Sequence, residues 1–259
     1  MTLTDQQPLG SPFSAVTTAE DIVADRDLFG RTAVVTGGYS GLGLETTRAL
    51  TAAGARVVVP ARRPDVARAA LQEVKGCEVI PMDLADLGSV RSAAAHISDC
   101  LDRLDLLMAI AGVMATPERR VGPGWEGQFT TNHFGHFMLA CELYPLLAAA
   151  GGARVVVNSS AGHTLTGIRW HDPHFRTGYD KWLAYGQAKR GGLYLEDCDI
   201  ARVSAPDTPM DDGGVRAYAV DPYDAARLWD LSVFATGATP FTATPGQPAR
   251  RSVASGREI

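Results

Sequence analysis

The stretch Thr36-Gly37-Gly38-Tyr39-Ser40-Gly41-Leu42-Gly43 most constrains what this chain can fold into. It follows the apolar run Thr32-Ala33-Val34-Val35 and leads into helical spacing over residues 42–53, closed by Gly54. A short apolar run of this kind reads as a buried parallel strand, and glycine after a helix is a common C-cap. Glycines between strand and helix permit a tight turn and let backbone approach a phosphate. The helix N-terminus adds free N–H groups and the positive end of a dipole. Gly37, Tyr39, Ser40, Gly41, Leu42 and Gly43 therefore form a candidate nucleotide-binding turn.

The alternation continues downstream. Further strands are expected at Arg56-Val57-Val58-Val59, Val79-Ile80-Pro81-Met82, residues 104–110 and Arg154-Val155-Val156-Val157-Asn158. Helices are expected over residues 64–74, 87–101 and, despite Gly135 and Pro145, 125–150. This succession predicts one α/β domain, a Rossmann-type doubly wound parallel sheet with helices on both faces and right-handed crossovers. Such sheets bind ligands beyond the carboxyl ends of their strands. A loop rich in His, Pro and aromatic residues follows at 162–178, then a helix at 180–190, Gly191-Gly192, and an irregular stretch at 198–214. Asp221-Pro222 opens a last helix, with Asp as N-cap and Pro at the first helical position. Residues 28–236 are assigned to the domain, 237–259 to a disordered tail and 1–27 to an N-terminal extension whose short Thr-capped helix packs on the outside.

Composition removes several function classes. The 259 residues are 46% apolar and 20% charged, ordinary for a globular domain. A net charge of −5 without basic runs argues against nucleic acid or an anionic membrane as partner. No apolar run is long enough to span a bilayer. Cys77, Cys100, Cys141 and Cys198 are scattered without ligand spacing, and the N-terminus lacks a signal-peptide pattern, so a cytoplasmic location is expected.

Chemistry concentrates after the strands. The second ends in Ala61-Arg62-Arg63 with no acid. An acid there would hold the ribose 2′-hydroxyl of NAD, whereas Arg suits the 2′-phosphate of NADP. NADP(H) is therefore favoured over NAD(H), the alternative being that Arg62 and Arg63 are simply exposed. Asp83, followed by Leu84, stands where an adenine edge would lie, or else it or Asp86 caps the next helix. Asn132 falls mid-helix, where Asn has poor propensity, which suggests a specific hydrogen bond. Tyr185 and Lys189 are four apart, close enough on a helix to reach one small volume. A phenol beside an ammonium is a candidate general acid or base. His163, His171 and His174 share one loop with Asp172, but no metal site is assigned.

Taken together, these motifs resemble the short-chain dehydrogenases/reductases. The resemblance rests on Thr36-Gly37, Gly41-Leu42-Gly43, Asp83-Leu84, Ala111-Gly112, Asn132, Ser159-Ser160 and Tyr185-x-x-x-Lys189, in the family's order, and covers residues 10–189. Finer texture is similar to the retinol-dehydrogenase-like branch and its bacterial relatives: Thr131-Asn132-His133-Phe134-Gly135-His136-Phe137, Ser159-Ser160-Ala161-Gly162-His163, Asp172-Pro173-His174-Phe175, and the 25-residue gap from Ser160 to Tyr185. The resemblance implies hydride transfer between NADP(H) and a small or lipophilic carbonyl/alcohol pair, in a family that commonly forms homodimers. It implies that Tyr185 is the catalytic acid/base and that Lys189 binds the nicotinamide ribose and assists the tyrosine. Ser160, rather than Ser159, would bond the substrate carbonyl, Asn132 would hold a proton-relay water, and Asp83 would contact adenine.

Two departures stand out. The family's Asn-Asn-Ala-Gly or Ala-Asn-Ala-Gly reads here Ala109-Ile110-Ala111-Gly112, without the amide that ties this strand to its neighbours. After Lys189 the family continues the helix, adds a sixth strand ending in Pro-Gly, and then a substrate lid. Here the chain reads as carrying an internal deletion that removes those parts, or else residues 214–221 serve as the sixth strand. The first functional reading is an active oxidoreductase. The other is a degenerate member that binds nucleotide or a protein partner without redox turnover.

Overall fold

The computed structural model describes residues 6–190 and 194–239. Its first half runs α1 (Ala19–Val23), β1 (Thr32–Thr36), α2 (Gly41–Ala52), β2 (Arg56–Ala61), α3 (Pro64–Ala70), β3 (Cys77–Pro81), α4 (Leu87–Cys100) and β4 (Leu106–Ala109). A short hairpin, β5 (Arg120–Val121) and β6 (Trp125–Glu126), precedes α5 (Gly127–Phe129), a π-helical turn (Thr130–Phe134), α6 (Gly135–Glu142), α7 (Tyr144–Ala149) and β7 (Arg154–Val157). Then follow α8 (Lys181–Ala188), the short strands β8 (Leu195–Glu196), β9 (Asp199–Ile200), β10 (Val203–Ser204) and β11 (Val215–Arg216), and α9 (Pro222–Thr236).

Five strands form one parallel sheet in the order β3-β2-β1-β4-β7. The pleat divides their side chains between two cores. Val34, Val58 and Leu107 pack with Ile97 of α4 and Met138 and Leu139 of α6. Ala33, Val35, Val57 and Val59 pack on the other face with Leu50 and Leu71. Burying each such aliphatic side chain is worth about 1.5–3 kcal/mol.

The sheet stops at β7. Residues 214–221 do not extend it: β11 pairs in parallel with β10, and Val215 is buried in a separate cluster with Tyr194, Ala201 and Ala219. No strand among the described residues lies beyond β7. Val155 matches Leu107 in register, yet Leu107 is 1% exposed and Val155 49%, with Val157 at 54%. The difference is the missing neighbour on the outer side.

The expected continuous helix over 125–150 is instead several pieces. Glu126 caps α5 by accepting from the N–H groups of Gln128 and Phe129. The backbone then widens into the π turn around Asn132. Pro145, which has no N–H to donate, sits near the start of α7 and enforces a fresh start there. Gly135 lets α6 press on the loop after β3, since a Cβ there would lie 2.4 Å from the Leu84 carbonyl oxygen.

The N-terminal segment is more than an outer appendage. Thr18 and Asp21 form the capping box of α1. Ahead of it, Gln6 is 2% exposed and donates to the carbonyls of Tyr194 and Ala201, both at 2.7 Å. The Asp199 carboxylate accepts from the N–H groups of Leu9, Gly10 and Ser11. Residues 6–11 are thus clasped to the 194–201 stretch. Asp221 caps α9 as expected, and Gly237 ends it at φ 61°. Of the tail assigned as disordered, residues 240–259 lie outside the described residues.

An unpaired strand edge with half-exposed valines favours self-association. A Val155→Lys/Val157→Lys variant is expected to keep its melting temperature within about 3 °C of the parent, since both positions are already half-exposed. It should also suppress concentration-dependent association in light scattering. A large loss of melting temperature would mean that β7 is covered in solution.

Candidate active site

The glycine turn after β1 has the backbone that its sequence demands. Gly37 (φ 68°) and Gly41 (φ 51°) occupy the left-handed region that glycine alone enters at low cost. A Cβ on Gly43 would lie 2.3 Å from the Gly37 carbonyl oxygen, and one on Gly37 would lie 3.0 Å from Ala111 Cα. Ser40 heads α2 without a side-chain capping bond, and no acid stands in the first turn. Ser40, Gly41 and Leu42 are exposed, while Tyr39 leans on the core beneath α2.

The other expected positions follow the carboxyl ends of the strands. Arg62 and Arg63 stand after β2, exposed and without an ion pair among the described residues. After β3, Asp83 accepts from the Ala85 N–H at 2.9 Å, Leu84 is buried, and Asp86 caps α4. Helix capping thus belongs to Asp86, and Asp83 shapes the turn before it. Ala111 and Gly112 follow β4.

Asn132 makes the specific bonds its position suggested. Its amide pairs with the backbone of Val113, accepting from the N–H and donating to the C=O, both at 2.8 Å. Two glycines mark where the remaining groups converge. A Cβ on Gly112 would lie 3.1 Å from both Asn132 Oδ1 and Lys189 Nζ. One on Gly162 would lie 2.8 Å from Tyr185 Cε1 and 3.4 Å from Ser160 Oγ. Gly186 brings α8 onto the loop after β7, since its Cβ would be 2.5 Å from the Gly162 carbonyl oxygen.

Tyr185 and Lys189 are each 8% exposed. Helix α8 ends at Ala188, so Lys189 is its cap residue rather than part of a longer helix. Its ammonium donates to the Asn158 carbonyl at 2.9 Å and lies 5.9 Å from the Tyr185 ring centroid. Burial pulls the Lys189 pKa down to about 8. The two serines differ in role. Ser159 donates to the Lys189 carbonyl, whereas Ser160 accepts from the Gly162 N–H and keeps its own proton available. Asn132, Ser160 and Lys189 line an open trough of ≈ 2090 Å³ that runs along the bare edge of β7, and Leu42 and Phe137 also face it.

Sequence reasoning missed two histidines. His136, given no role of its own above, bonds Thr36 Oγ at 2.9 Å and the Asn132 carbonyl at 2.9 Å. His163 donates to the Ser160 carbonyl at 2.7 Å, and its other nitrogen accepts from the Arg216 N–H at 3.3 Å. It thereby fastens the loop after β7 to the C-terminal segment. The repeated Gly-His pairs, Gly135-His136 and Gly162-His163, were the available signal. The loop histidines do not converge on a metal. His174 stacks on Trp125 at 6.0 Å, and no cluster of three or more possible ligands occurs among the described residues. No helix among those residues is long and apolar enough to cross a membrane.

The profile of the short chain dehydrogenases matches residues 31–170. The chain belongs to the short-chain dehydrogenase family. It is 48% identical over 167 residues to a Streptomyces lividans protein named "Probable oxidoreductase", covering 63% of this chain and 56% of that one. With mouse retinol dehydrogenase 12 it shares 35% identity over 199 residues, 74% of this chain and 61% of the other. It thus spans little more than half the length of these relatives. Among solved structures, an uncharacterized Mycobacterium paratuberculosis protein superposes with a TM-score of 0.68 at 30% identity, over 83% of this chain and 97% of that one. The Pseudomonas aeruginosa RhlG/NADP complex does so with a TM-score of 0.50 at 31% identity, over 63% of each chain. Tyr185 and Lys189 lie beyond the span matched by the family profile.

Three histidines packed inside the domain shape acid stability. Burial lowers His133, His136 and His174 to about 4 from an ordinary 6.5. The unfolded chain therefore takes up protons near pH 6.5 that the folded chain refuses until near pH 4, and stability falls as pH drops through that window. The urea midpoint is expected to hold steady above pH 7 and to fall from pH 6.5 to 5, before carboxylates titrate. A flat midpoint over that range would contradict the burial of these rings.

Proposed function

We propose that this protein is an NADP(H)-dependent oxidoreductase interconverting a small or lipophilic carbonyl and its alcohol, with Tyr185 as acid/base. The observation that carries the reading is the pair of convergences at Gly112, where Asn132 meets Lys189, and at Gly162, where Ser160 meets Tyr185, with Asn132, Ser160 and Lys189 lining the trough along β7. The residues present fit a dinucleotide. A Cβ at Gly43 would fill the turn, the head of α2 is uncapped, and Arg62 and Arg63 are free to meet a 2′-phosphate. Asp83 and Leu84 would border the adenine, the turn after β1 the pyrophosphate, and Ala111, Gly112 and Lys189 the nicotinamide ribose. When bound, the nicotinamide would supply or accept the hydride.

The protein's own part is proton handling and orientation. Ser160 holds a hydroxyl proton with which to bond a substrate oxygen, and that bond strengthens as the oxygen gains negative charge. Tyr185 would give that oxygen its proton in reduction and take it back in oxidation. Its hydroxyl makes no hydrogen bond among the described residues, which leaves it available. Below pH 8 Lys189 is cationic, 5.9 Å from the Tyr185 ring centroid, and would hold the nicotinamide ribose. A protein carrying these groups is expected to quench on NADPH titration and to consume NADPH with members of a carbonyl panel. Tyr185→Phe should lower turnover at least about 100-fold with little change in NADPH affinity. Arg62→Ala/Arg63→Ala should raise the NADPH dissociation constant about tenfold while sparing NADH.

A second reading is favoured by one observation, the absence of a strand beyond β7 among the described residues. We read the segment after Lys189 as shortened relative to the family, so that the nicotinamide side stays open to water, which weakens electrostatic catalysis. On that reading the chain binds nucleotide without turnover. NADPH binding with no turnover on any carbonyl would select it, and turnover unchanged in Tyr185→Phe would remove Tyr185 from the mechanism.

A further inference from the structure

The family's amide before Ala111-Gly112 is Ile110 here, yet the strand end is not left untied. Thr36 Oγ accepts from the N–H groups of Ile110 at 3.0 Å and Ala111 at 3.1 Å. Those two bonds use both acceptor positions of the hydroxyl and leave one proton to donate. His136 Nε2 is 2.9 Å away, while the alternative acceptor, the Met108 carbonyl, is 3.5 Å away. On the other side of the ring, Nδ1 faces the Asn132 carbonyl at 2.9 Å. A carbonyl only accepts, so Nδ1 carries the hydrogen and Nε2 is the acceptor for Thr36. Every polar atom of the set then has a partner, in one neutral tautomer only. His136 is 6% exposed and Thr36 0%.

We propose that His136 is a positioning residue, clamping the turn Ile110–Gly112 through Thr36 and the Asn132 backbone through the Asn132 carbonyl. This builds on the cofactor reading above, because the clamped turn is the one assigned to border the nicotinamide ribose. The π turn makes the clamp possible. It interrupts regular helical bonding around Asn132, and His136 lies one turn on. Asn132 in turn holds Val113 on the far side of Gly112, so the segment 110–113 is fixed at both ends by groups that His136 touches directly or through Thr36. The charged and titratable neighbours are Lys189 and His133; burial first, and then the Lys189 charge, oppose a second proton on the ring.

The test has an arm that needs no cofactor. In the free protein, ring ¹⁵N shifts of His136 should report a neutral Nδ1–H imidazole from pH 7.5 to 5.5. In His136→Phe, which conserves ring bulk, the Ile110 and Ala111 amides should exchange at least about tenfold faster while amides of β2 and β3 do not change. An Nε2–H or charged ring at pH 7, or unchanged exchange at Ile110 and Ala111, would overturn the clamp. The wild-type spectrum reads this even if the variant folds poorly.

In the cofactor arm, His136→Phe should raise the NADPH dissociation constant about tenfold. His136→Gln, whose amide reaches the Nε2 position and can accept from Thr36, should recover most of that affinity. His136→Asn, which reaches only the Nδ1 position, should not. Equal affinity in all three variants would overturn the link to the cofactor. The clamp signature without NADPH binding by the wild type would instead sink the cofactor reading and leave the clamp standing.

Discussion

The carboxyl edge of this sheet depends on how closely β1 and β4 end beside one another. Gly37 lies against Ala111 at a distance no side chain would tolerate without a shift, and the Thr36 hydroxyl gathers the two N–H groups that follow β4. Thr36 is fully buried and the two N–H groups partly so, and leaving them unpaired would cost up to about 1–3 kcal/mol. The turn that would receive a pyrophosphate and the turn that would border the nicotinamide ribose are therefore one rigid unit. Asn132, Lys189 and His136 are arranged around it, and their geometry is inherited from that contact.

The other half of the site is supported unusually. Among the described residues no strand lies beyond β7 to support the loop Ser160–His163. The support comes from the segment after α8 and from residues 6–11. Arg216 and Tyr218 bond His163, Arg190 reaches the Tyr218 carbonyl, and Gln6 and Asp199 join the N-terminal segment to the 194–201 stretch. These polar clasps replace a buried apolar layer. They hold Ser160 in place, but they leave the valines of β7 and a wide trough open beside Lys189.

Much of the fold was legible because its signals are local. Each strand of the sheet is built on a short apolar run, rich in valine in β1, β2 and β7, and the turn after β1 has its glycines where φ is positive. The Asp86, Asp180 and Asp221 caps stand at the helix starts that they define. The candidate site was legible for a different reason: Thr36-Gly37, Ser160, Tyr185 and Lys189 occur in a fixed order whose joint spacing is specific. The misread pieces are those where a non-local partner decides. Residues 125–150 have helical spacing throughout, but the π turn answers to Val113 and Thr36, which lie elsewhere in the chain. Residues 214–221 look like a strand and are one in part, but Val215 found a small core of its own instead of the edge of β7.

The sequence by itself determined the order of strands and helices, the glycine turn, and the identity of the groups that could do chemistry. Hydrophobic period and backbone permissiveness act over a few residues, and both can be read without knowing what lies across the fold. Only the tertiary structure decided that, among the described residues, the sheet ends at β7, that Gln6 belongs with Tyr194, and that His136 joins Thr36 to Asn132. Those outcomes depend on which buried donor meets which acceptor across a hundred residues or more, and no local pattern encodes that match.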